Sequence, residues 1–378
     1  LGGSPGHIPD ASGYVPTITP FDPEIHKALL FDLMRESNVH LLLHALVVGA
    51  ECAGDGVRGA TFATVGGPRT VRARCTIDAT ADAFVAAAAG CELQQGDERG
   101  RVQPASLMFR LSHVDMDVLA AYVRERPDQM RTALAPEERN AAALTAVAGL
   151  YELWQQAQAG GIEIPRELVS FFISPYPDEV TVNMTRVVDV DPLDPDDLTR
   201  AEIEARGQAM RLVAFFRARV PGFANARIAA TATQIGVRES RRIVGEYTLT
   251  RDDILERRTF EDAVARSAYP IDIHNPSGSG TTTQRLPPGT SYEIPYRCLV
   301  PRRIDDLLVA GRCISTTHEA LASTRLTPTV MTLGQAAGTA AALALAAGVR
   351  PRALDAHVLR ERLIADGVDL RRPTFARA

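Results

Sequence analysis

Residues 305–312 read DDLLVAGR, in which the apolar run at 307–310 is followed by Gly311. Such a run indicates a buried strand, and the terminal glycine lets the backbone approach a ligand closely because no Cβ intervenes. Further along, Pro328 opens an apolar stretch that predicts a long helix to about Ala347. The free N–H groups at the start of that helix favour negative charge. The two elements together indicate a place for a flat, negatively charged group.

Upstream of this stretch, the first ninety residues alternate between strands and helices in the manner of an α/β fold. Asp22 and Pro23 predict a helix start, as N-cap and first helical residue, and this helix should run to about Ser37. The apolar run at 40–48 predicts a strand that is buried on both faces. Two further strands are predicted at 57–65 and 70–77, followed by a short helix at 81–89.

The middle of the chain, from residue 91 to about 295, lacks this alternation. Strands are predicted at 106–111, 168–173, 180–188 and 228–237, and helices at 115–126, 136–159 and 195–219. Such an irregular order favours α+β organisation with a separate, largely antiparallel sheet. The sequence therefore predicts an α/β fold with an inserted α+β domain.

The composition excludes several classes of protein. The net charge of −5 and the pI near 6.0 argue against a nucleic-acid partner. Lys27 is the only lysine and no G-x-x-x-x-G-K precedes it, which excludes pyridoxal-phosphate enzymes and P-loop NTPases. The cysteines lack a C-x-x-C pair, which argues against a disulfide framework, a zinc knuckle or an iron–sulfur cluster and favours a reducing cytoplasm. They are Cys52, Cys75, Cys91, Cys298 and Cys313.

The apolar stretches are too short to predict a membrane span. The most apolar one, at 336–349, is about 14 residues long and suits a buried core helix. We therefore expect no membrane partner, and we expect no metal.

One glycine-rich segment imitates a dinucleotide-binding motif. GDGVRG at 54–59 matches G-x-G-x-x-G, but that motif requires a helix to follow it, because the helix N-terminus binds the pyrophosphate. The residues at 60–65 are strand-like instead. We interpret Asp55 and Gly56 as a hairpin turn.

Five segments in order resemble the FAD-dependent oxidoreductase family of glutathione-reductase-like topology, and the resemblance covers nearly the whole chain. Each segment is weakly specific, whereas their order and spacing are more so. They are IDATAD (77–82), GVRESRR (236–242), YEIPYR (292–297), LLVAGRCIS (307–315) and LGQAAG (333–338).

The resemblance implies FAD as cofactor and an incomplete, Rossmann-like FAD-binding domain. Residues 1–90 would form its first part and 296–378 its C-terminal part, with a substrate domain at 91–295 inserted between them. The cofactor-binding residues implied by the matching segments and by the strand at 40–48 are Val47, Ala79, Thr80, Ala81, Gly311, Arg312, Thr327, Pro328, Thr329 and Gln335.

The sequence departs from the family pattern in two places. Ala81 replaces the glycine of the A-T-G motif, and the first βαβ unit with its G-x-G-x-x-G turn does not precede the resemblance. Three explanations stay open: the sequence lacks that unit, a companion chain supplies it, or FAD is bound in another way. We expect the first.

Five residues, three arginines and two histidines, are predicted to be catalytic. The arginines are Arg238, Arg297 and Arg325, because guanidinium groups hold anions in a bidentate manner. Arg241 and Arg242, close to Arg238 in the chain, share this chemistry but are not among the five. His274 precedes a Gly- and Ser-rich loop, His318 lies between Gly311 and the long helix, and histidine suits proton transfer near neutral pH.

With FAD as cofactor, the resemblance implies hydride transfer between flavin N5 and a small organic substrate. The alternative is a non-catalytic or incomplete flavoprotein subunit that needs another chain to complete the FAD site. A homo-oligomer is left open as well.

Overall fold

The computed structural model describes residues 6–131 and 144–370. The helices in these ranges are α1 (Pro23–Glu36), α2 (Phe84–Ala88), α3 (Met116–Glu125), α4 (Tyr151–Ala159), α5 (Pro195–Arg219), α6 (Arg251–Leu255), α7 (His318–Thr324), α8 (Thr327–Ala347) and α9 (Ala356–Ala365).

The strands begin with β1 (Ile8–Pro9), β2 (Thr17–Ile18), β3 (Ala45–Ala53), β4 (Gly56–Thr64), β5 (Gly67–Arg72), β6 (Thr76–Asp78), β7 (Leu93–Gln95), β8 (Phe109–Ser112), β9 (Met130–Arg131) and β10 (Ala146–Gly149). They continue with β11 (Val169–Ile173), β12 (Val180–Val182), β13 (Arg227–Thr231), β14 (Arg241–Ile243), β15 (Ala263–Ser267), β16 (Ile271–His274), β17 (Thr281–Gln284), β18 (Tyr292–Pro295) and β19 (Leu307–Val309).

The chain divides into two compact units. Unit A comprises the described parts of 1–41, 104–237 and 275–280, and unit B those of 42–103, 238–274 and 281–378. The predicted roles of 1–90, 91–295 and 296–378 as FAD-binding and substrate domains stay predictions.

Unit A contains a six-stranded sheet in the order β13-β8-β12-β11-β10-β9, and all of its pairings are antiparallel. Its apolar core is aromatic: Phe171 on β11 packs edge-on against Phe216 of α5 and against Phe223. Trp154 of α4 is fully buried in the same core. The antiparallel sheet predicted for the middle of the chain is therefore found.

Unit B is built from small sheets around a second apolar core. Strands β3, β4 and β5 form an antiparallel sheet, and β15–β18, β16–β17 and β7–β14 are antiparallel pairs. Strands β6 and β19 pair in parallel, and α8 packs against both of them and against β15. The described fold is thus mixed α/β with mostly antiparallel sheets.

Two helix starts follow the local signals in the sequence. Asp22 caps α1 by accepting hydrogen bonds from the N–H groups of Glu24 and Ile25, and Pro23 is the first helical residue. Asp194 and Pro195 have the same roles at the start of α5. A capping carboxylate and a proline at the first position need no tertiary partner, which is why the sequence predicts these boundaries correctly.

The hairpin interpretation of the glycine-rich segment at 54–59 is confirmed. The turn between β3 and β4 is formed by Gly54 and Asp55, one residue earlier than the predicted Asp55 and Gly56, and Gly54 has a φ of +61°. The rest of the segment lies in β4, so no helix follows the glycines.

Two strand predictions near the start of unit B are wrong. The strand predicted at 40–48 begins only at Ala45, and it pairs with β4 alone, leaving Leu46 and Val48 exposed. The single strand predicted at 70–77 is two strands, because β5 pairs with β4 and β6 pairs with β19. A hairpin with the adjacent strand β4 decides the first outcome, and pairing of β6 with the distant strand β19 decides the second.

One prediction about a helix also needs correction. Within the helix predicted at 136–159, residues 136–143 lie outside the described ranges, residues 146–149 form β10, and only α4 is helical. Pairing of β10 with β9 and β11 overrides the helix propensity of its alanines.

The apolar helix α8 begins and ends within one residue of its predicted bounds. It spans 21 residues with a mean hydropathy of 1.5, and it is the one helix in the described ranges that is long and apolar enough to cross a membrane. A core helix of a soluble protein passes the same test, so this is weak support for a membrane span.

Candidate functional site

The parallel pairing of β6 with β19 brings two distant segments to one edge of unit B. Thr76 lies opposite Leu307 and Asp78 opposite Val309, so the carboxyl ends of both strands lie side by side. The residues that follow, 79–82 and 310–312, are called the strand-end loops below. They contain five of the predicted cofactor-binding residues, namely Ala79, Thr80, Ala81, Gly311 and Arg312.

A buried carboxylate shapes the first of these loops. Asp78 Oδ1 accepts hydrogen bonds from the Thr80 N–H (3.0 Å) and hydroxyl (2.7 Å), while Oδ2 accepts from the Ala86 N–H (2.9 Å). Thr80 Oγ1 in turn accepts from the N–H of Phe84 (3.0 Å). The loop is held in a tight turn, and Ala81 takes a φ of +68° where the family pattern has glycine.

Asp82 connects both strand-end loops to the segment at 238–242. Its carboxylate accepts hydrogen bonds from Arg312 Nη2 (3.0 Å) and from the Ser240 hydroxyl. Its main-chain oxygen accepts from Arg241 Nε (2.9 Å). Glu239, the residue that precedes Ser240, belongs to a second group of polar side chains.

This second group, the polar cluster, is centred on Glu239, which is fully buried. Glu239 accepts hydrogen bonds from Arg242 Nη1, from His318 Nδ1 (2.9 Å) and from the main-chain N–H of Gln103 (3.2 Å). Arg242 also donates to the main-chain oxygens of Thr316 and Gly96. A buried carboxylate needs such partners to offset its lost hydration.

Gln103 extends the cluster to two more predicted catalytic residues. Its Oε1 accepts from the main-chain N–H of His274 and from Arg325 Nη2, both at 3.2 Å. Arg325 Nη2 also donates to the main-chain oxygen of Asp272 (3.3 Å). The His274 Nε2 atom lies 3.5 Å from a carboxylate oxygen of Asp272. Three of the five residues predicted to be catalytic, His274, His318 and Arg325, therefore lie in one cluster.

Burial controls the charge of this cluster. It lowers the pKa of His274 to about 3, with smaller contributions in the same direction from Arg238 and Arg325 and an opposing one from Asp272. His274 is thus neutral at pH 7. Burial also lowers the pKa of Arg325, but a guanidinium group starts from so high a value that it stays charged.

Arg297, another of the predicted arginines, lies in a different environment. Arg297 donates to Asp262 (2.9 Å) and stacks over the ring of Tyr247. This arrangement gives Arg297 an ion pair and a cation–π contact outside the polar cluster. Its catalytic role stays a prediction.

Helix α8 carries the remaining predicted cofactor contacts. Thr327, Pro328 and Gln335 are exposed, whereas Thr329 is buried and its hydroxyl lies 3.3 Å from that of Ser267. No side chain caps the first turn of α8, so its N–H groups are available to an anion. Val47 lies half-buried on β3, opposite Phe62.

Cys313 is part of the core. It is fully buried, and burial raises the pKa of its thiol to about 12, so it stays a thiol at neutral pH. A thiol in this state is a poor nucleophile.

The strand-end loops fit a flat cofactor approached by backbone. Gly311 has a φ of +96°, and the space around the position of a Cβ atom there is open to 4 Å. The space around the position of a Cβ atom is likewise open at Gly334, on the exposed face of α8. Arg241 Nη2 is buried without a hydrogen-bond partner among the described residues. Open backbone and an unsatisfied cationic donor suit a ligand such as FAD, which carries both a flat ring and phosphates. Within the same described ranges, no three His, Cys, Asp or Glu side chains are grouped as metal ligands.

Four residues of the site are not among the predicted site residues: Gln103, Asp272, Asp82 and Glu239. Asp82 and Glu239 lie in segments that carry the family resemblance. Their roles depend on contacts between residues far apart in the chain, such as Gln103 with His274, and no local pattern marks them. The acidic residue at the end of IDATAD was the one available signal, for Asp82.

Comparison with known proteins identifies the family. The chain matches the model of the FAD dependent oxidoreductase family over residues 3–363 and belongs to that family. It is an oxidoreductase-family flavoprotein whose cofactor is FAD, as the resemblance implied. No curated protein matches the chain.

Several solved structures of flavin-dependent enzymes are distantly similar. A triple mutant of the flavin-dependent brominase Bmp2 is 12% identical with a TM-score of 0.40, and the match covers 93% of this chain and 63% of that one. A geranylgeranyl bacteriochlorophyll reductase-like protein from Thermoplasma acidophilum is 11% identical with a TM-score of 0.42, covering 98% and 68%. The p-nitrophenol 4-monooxygenase PnpA from Pseudomonas putida DLL-E4 is 10% identical with a TM-score of 0.36, covering 93% and 58%. Likenesses at this distance support no conclusion about substrate or mechanism.

The left-handed conformation of Ala81 predicts that Ala81→Gly stabilises the protein. Glycine adopts a φ of +68° without the steric cost that a Cβ imposes, so the free energy of unfolding should rise by up to about 1 kcal/mol. The matched control is Ala87→Gly inside α2, which should lower it by about 1 kcal/mol. Urea denaturation measures both, and equal destabilisation by the two substitutions would contradict the assigned conformation.

The low pKa of His274 predicts a pH-dependent contribution to stability. The unfolded chain binds a proton at His274 near pH 6.5, whereas the folded chain does so only near pH 3. Stability conferred by the neutral ring is therefore full above pH 6.5 and falls by up to about 1.4 kcal/mol per pH unit as the pH decreases towards 3. His274→Gln should remove this term, so that the variant loses less stability than the wild type between pH 7 and 4.

Urea denaturation at several pH values tests this expectation. His357→Gln, at an exposed position of α9, controls for loss of a histidine and should follow the wild type. A constant difference between the wild type and His274→Gln at every pH would show that His274 is charged or exposed.

Proposed function

We propose that this chain, as a member of the FAD dependent oxidoreductase family, catalyses hydride transfer between FAD and a small organic substrate bound near the polar cluster. The observation that carries the proposal is the connection through Asp82. It joins the strand-end loops to Ser240 and Arg241, which directly follow the buried Glu239 in the chain. This connection supports a cofactor site at the loops that lies beside the residues proposed to handle protons.

The strand-end loops and the first turn of α8 are the residues that would hold FAD. Gly311 offers open backbone, Arg312 and Arg241 offer positive charge, and the uncapped N–H groups near Thr327 favour a negative group. When bound, FAD supplies a hydride acceptor or donor. We also propose that β6 and β19 belong to a Rossmann-like sheet of glutathione-reductase-like topology, which their parallel pairing supports.

The polar cluster supplies acid–base groups. Because a carboxylate only accepts hydrogen bonds, Nδ1 of His318 donates to Glu239, which leaves Nε2 to accept a proton when the ring is neutral. Glu239 then stabilises the protonated ring. Neutral His274 can donate a hydrogen bond to the substrate or accept one from it, but a pKa of about 3 makes it too weak a base to take up a proton at pH 7. Charged Arg325 orients the substrate and lowers the energy of negative charge that develops on it.

The second candidate function is that of a subunit whose FAD site a companion chain completes. In the described ranges β6 pairs with β19 alone, so its other edge carries no strand, and Ile77 at that edge is 37% exposed. Parallel pairs are ordinarily covered and extended on both sides. A strand from another polypeptide would satisfy this edge.

We further propose a reducing compartment such as the cytoplasm. All five cysteines are free thiols in the structure, which fits proteins of such compartments.

Substitution of Gly311 tests the proposed cofactor site. A methyl group in Gly311→Ala would occupy the open space beside the strand end, so we expect the dissociation constant of FAD to rise at least tenfold. Gly367→Ala is the matched control, because Gly367 has a φ of +93°, open space around it and a place after α9, away from the strand-end loops. Fluorescence titration with FAD measures both, and urea denaturation should show similar losses of stability.

Two other outcomes are informative. Equal FAD affinity in the two variants would contradict the placement of the cofactor at Gly311. A wild-type chain that binds no FAD would favour the companion-chain alternative.

A further inference from the structure

Two buried hydrogen-bond donors in the polar cluster lack acceptors. Gln103 is 2% exposed, and its Nε2 has no partner among the described residues. Arg325 Nε is also buried and without a partner there. The two side chains contact each other through Gln103 Oε1 and Arg325 Nη2. Buried donors left without acceptors are unfavourable. Two of them on touching side chains indicate a binding site for a ligand that accepts hydrogen bonds.

The orientation of the Gln103 amide is fixed by its neighbours. The groups at its Oε1 are the main-chain N–H of His274 and Arg325 Nη2, and both are donors. Exchanging the oxygen and nitrogen of the amide would place donors against donors. The NH2 group must therefore point away from these two groups, and it finds no acceptor among the described residues.

Arg325 also lacks a direct ionic partner. Within the described residues no carboxylate forms an ion pair with it, in contrast to Arg242, which is paired with Glu239. The hydrogen bond that it makes to Asp272 goes to the main-chain oxygen. Asp272 and Glu239 act on Arg325 only through space, so an anionic ligand bonded directly to its buried Nε would lower the cost of burying the guanidinium group.

We propose that the substrate carries a carboxylate and that Arg325 and Gln103 hold it, with Gln103 as a specificity-determining residue. The inference rests on the function proposed above and names the substrate class of the same site. A carboxylate supplies acceptors for Arg325 Nε and for the Gln103 amide, and it gives Arg325 its missing negative partner. A neutral amide of the same shape presents a donor in place of one acceptor and no charge, so the site rejects it.

The substitution Gln103→Glu tests this arrangement with little change of shape. A glutamate there still accepts from Arg325 and from the His274 N–H. It also pairs with Arg325 inside the protein and removes the amide donor. Gln284→Glu is the matched control, because Gln284 Oε1 likewise accepts from an arginine, Arg251, but at an exposed site on β17.

Binding of acetate and benzoate is compared with that of acetamide and benzamide by isothermal titration calorimetry, at constant ionic strength in chloride. We expect the wild type and Gln284→Glu to bind at least one acid at least tenfold more tightly than its amide. Gln103→Glu should lose at least tenfold of that affinity while its melting temperature stays at or above that of the wild type. Binding of neither acid, equal affinity for acid and amide, or undiminished acid binding by Gln103→Glu would each overturn the proposal.

Visible absorbance of the same samples reports bound FAD. Protein that holds FAD but shows no preference for carboxylates overturns the substrate class and leaves the proposed function intact. Protein without FAD that binds carboxylates through Gln103 supports the anion site and counts against the proposed function.

Discussion

The parallel pairing of β6 with β19 is the constraint on which the candidate site depends. It joins segments more than two hundred residues apart, and the ion pair between Asp82 and Arg312 forms where the strands end. Because Asp82 also binds Ser240 and Arg241, this pairing sets the position of the segment that carries Glu239. The strand-end loops and the polar cluster therefore share one scaffold.

Buried charge is treated in two ways within the polar cluster. Glu239 is surrounded by donors from Arg242, His318 and Gln103, so its charge is compensated inside the protein. Arg325 donates hydrogen bonds only to neutral oxygens, those of the Gln103 amide and the Asp272 main chain. Its Nε has no partner among the described residues. A compensated carboxylate orients a histidine, whereas a guanidinium without a bonded counter-ion suits the anionic ligand proposed above.

The sequence predicts those parts of the molecule that local chemistry determines. Aspartate followed by proline marks the starts of α1 and α5, and Gly311 marks the end of β19. Strand β10 and the division between β5 and β6 escaped prediction because pairing with distant strands decides them. The same reason explains the site: His274, His318 and Arg325 have recognisable chemistry, but Gln103, which joins two of them, is 171 residues from His274. Such contacts leave no local pattern.

Hydrogen–deuterium exchange of the purified chain, with and without FAD, tests most directly whether the strand ends hold the flavin. The account predicts slower exchange of the amides at 79–82 and 310–312 when FAD is added, since bound cofactor excludes water and restricts opening of both loops. Strands β11 and β12 of unit A should be unaffected. Unchanged exchange at both loops, or protection found only in unit A, would contradict the account.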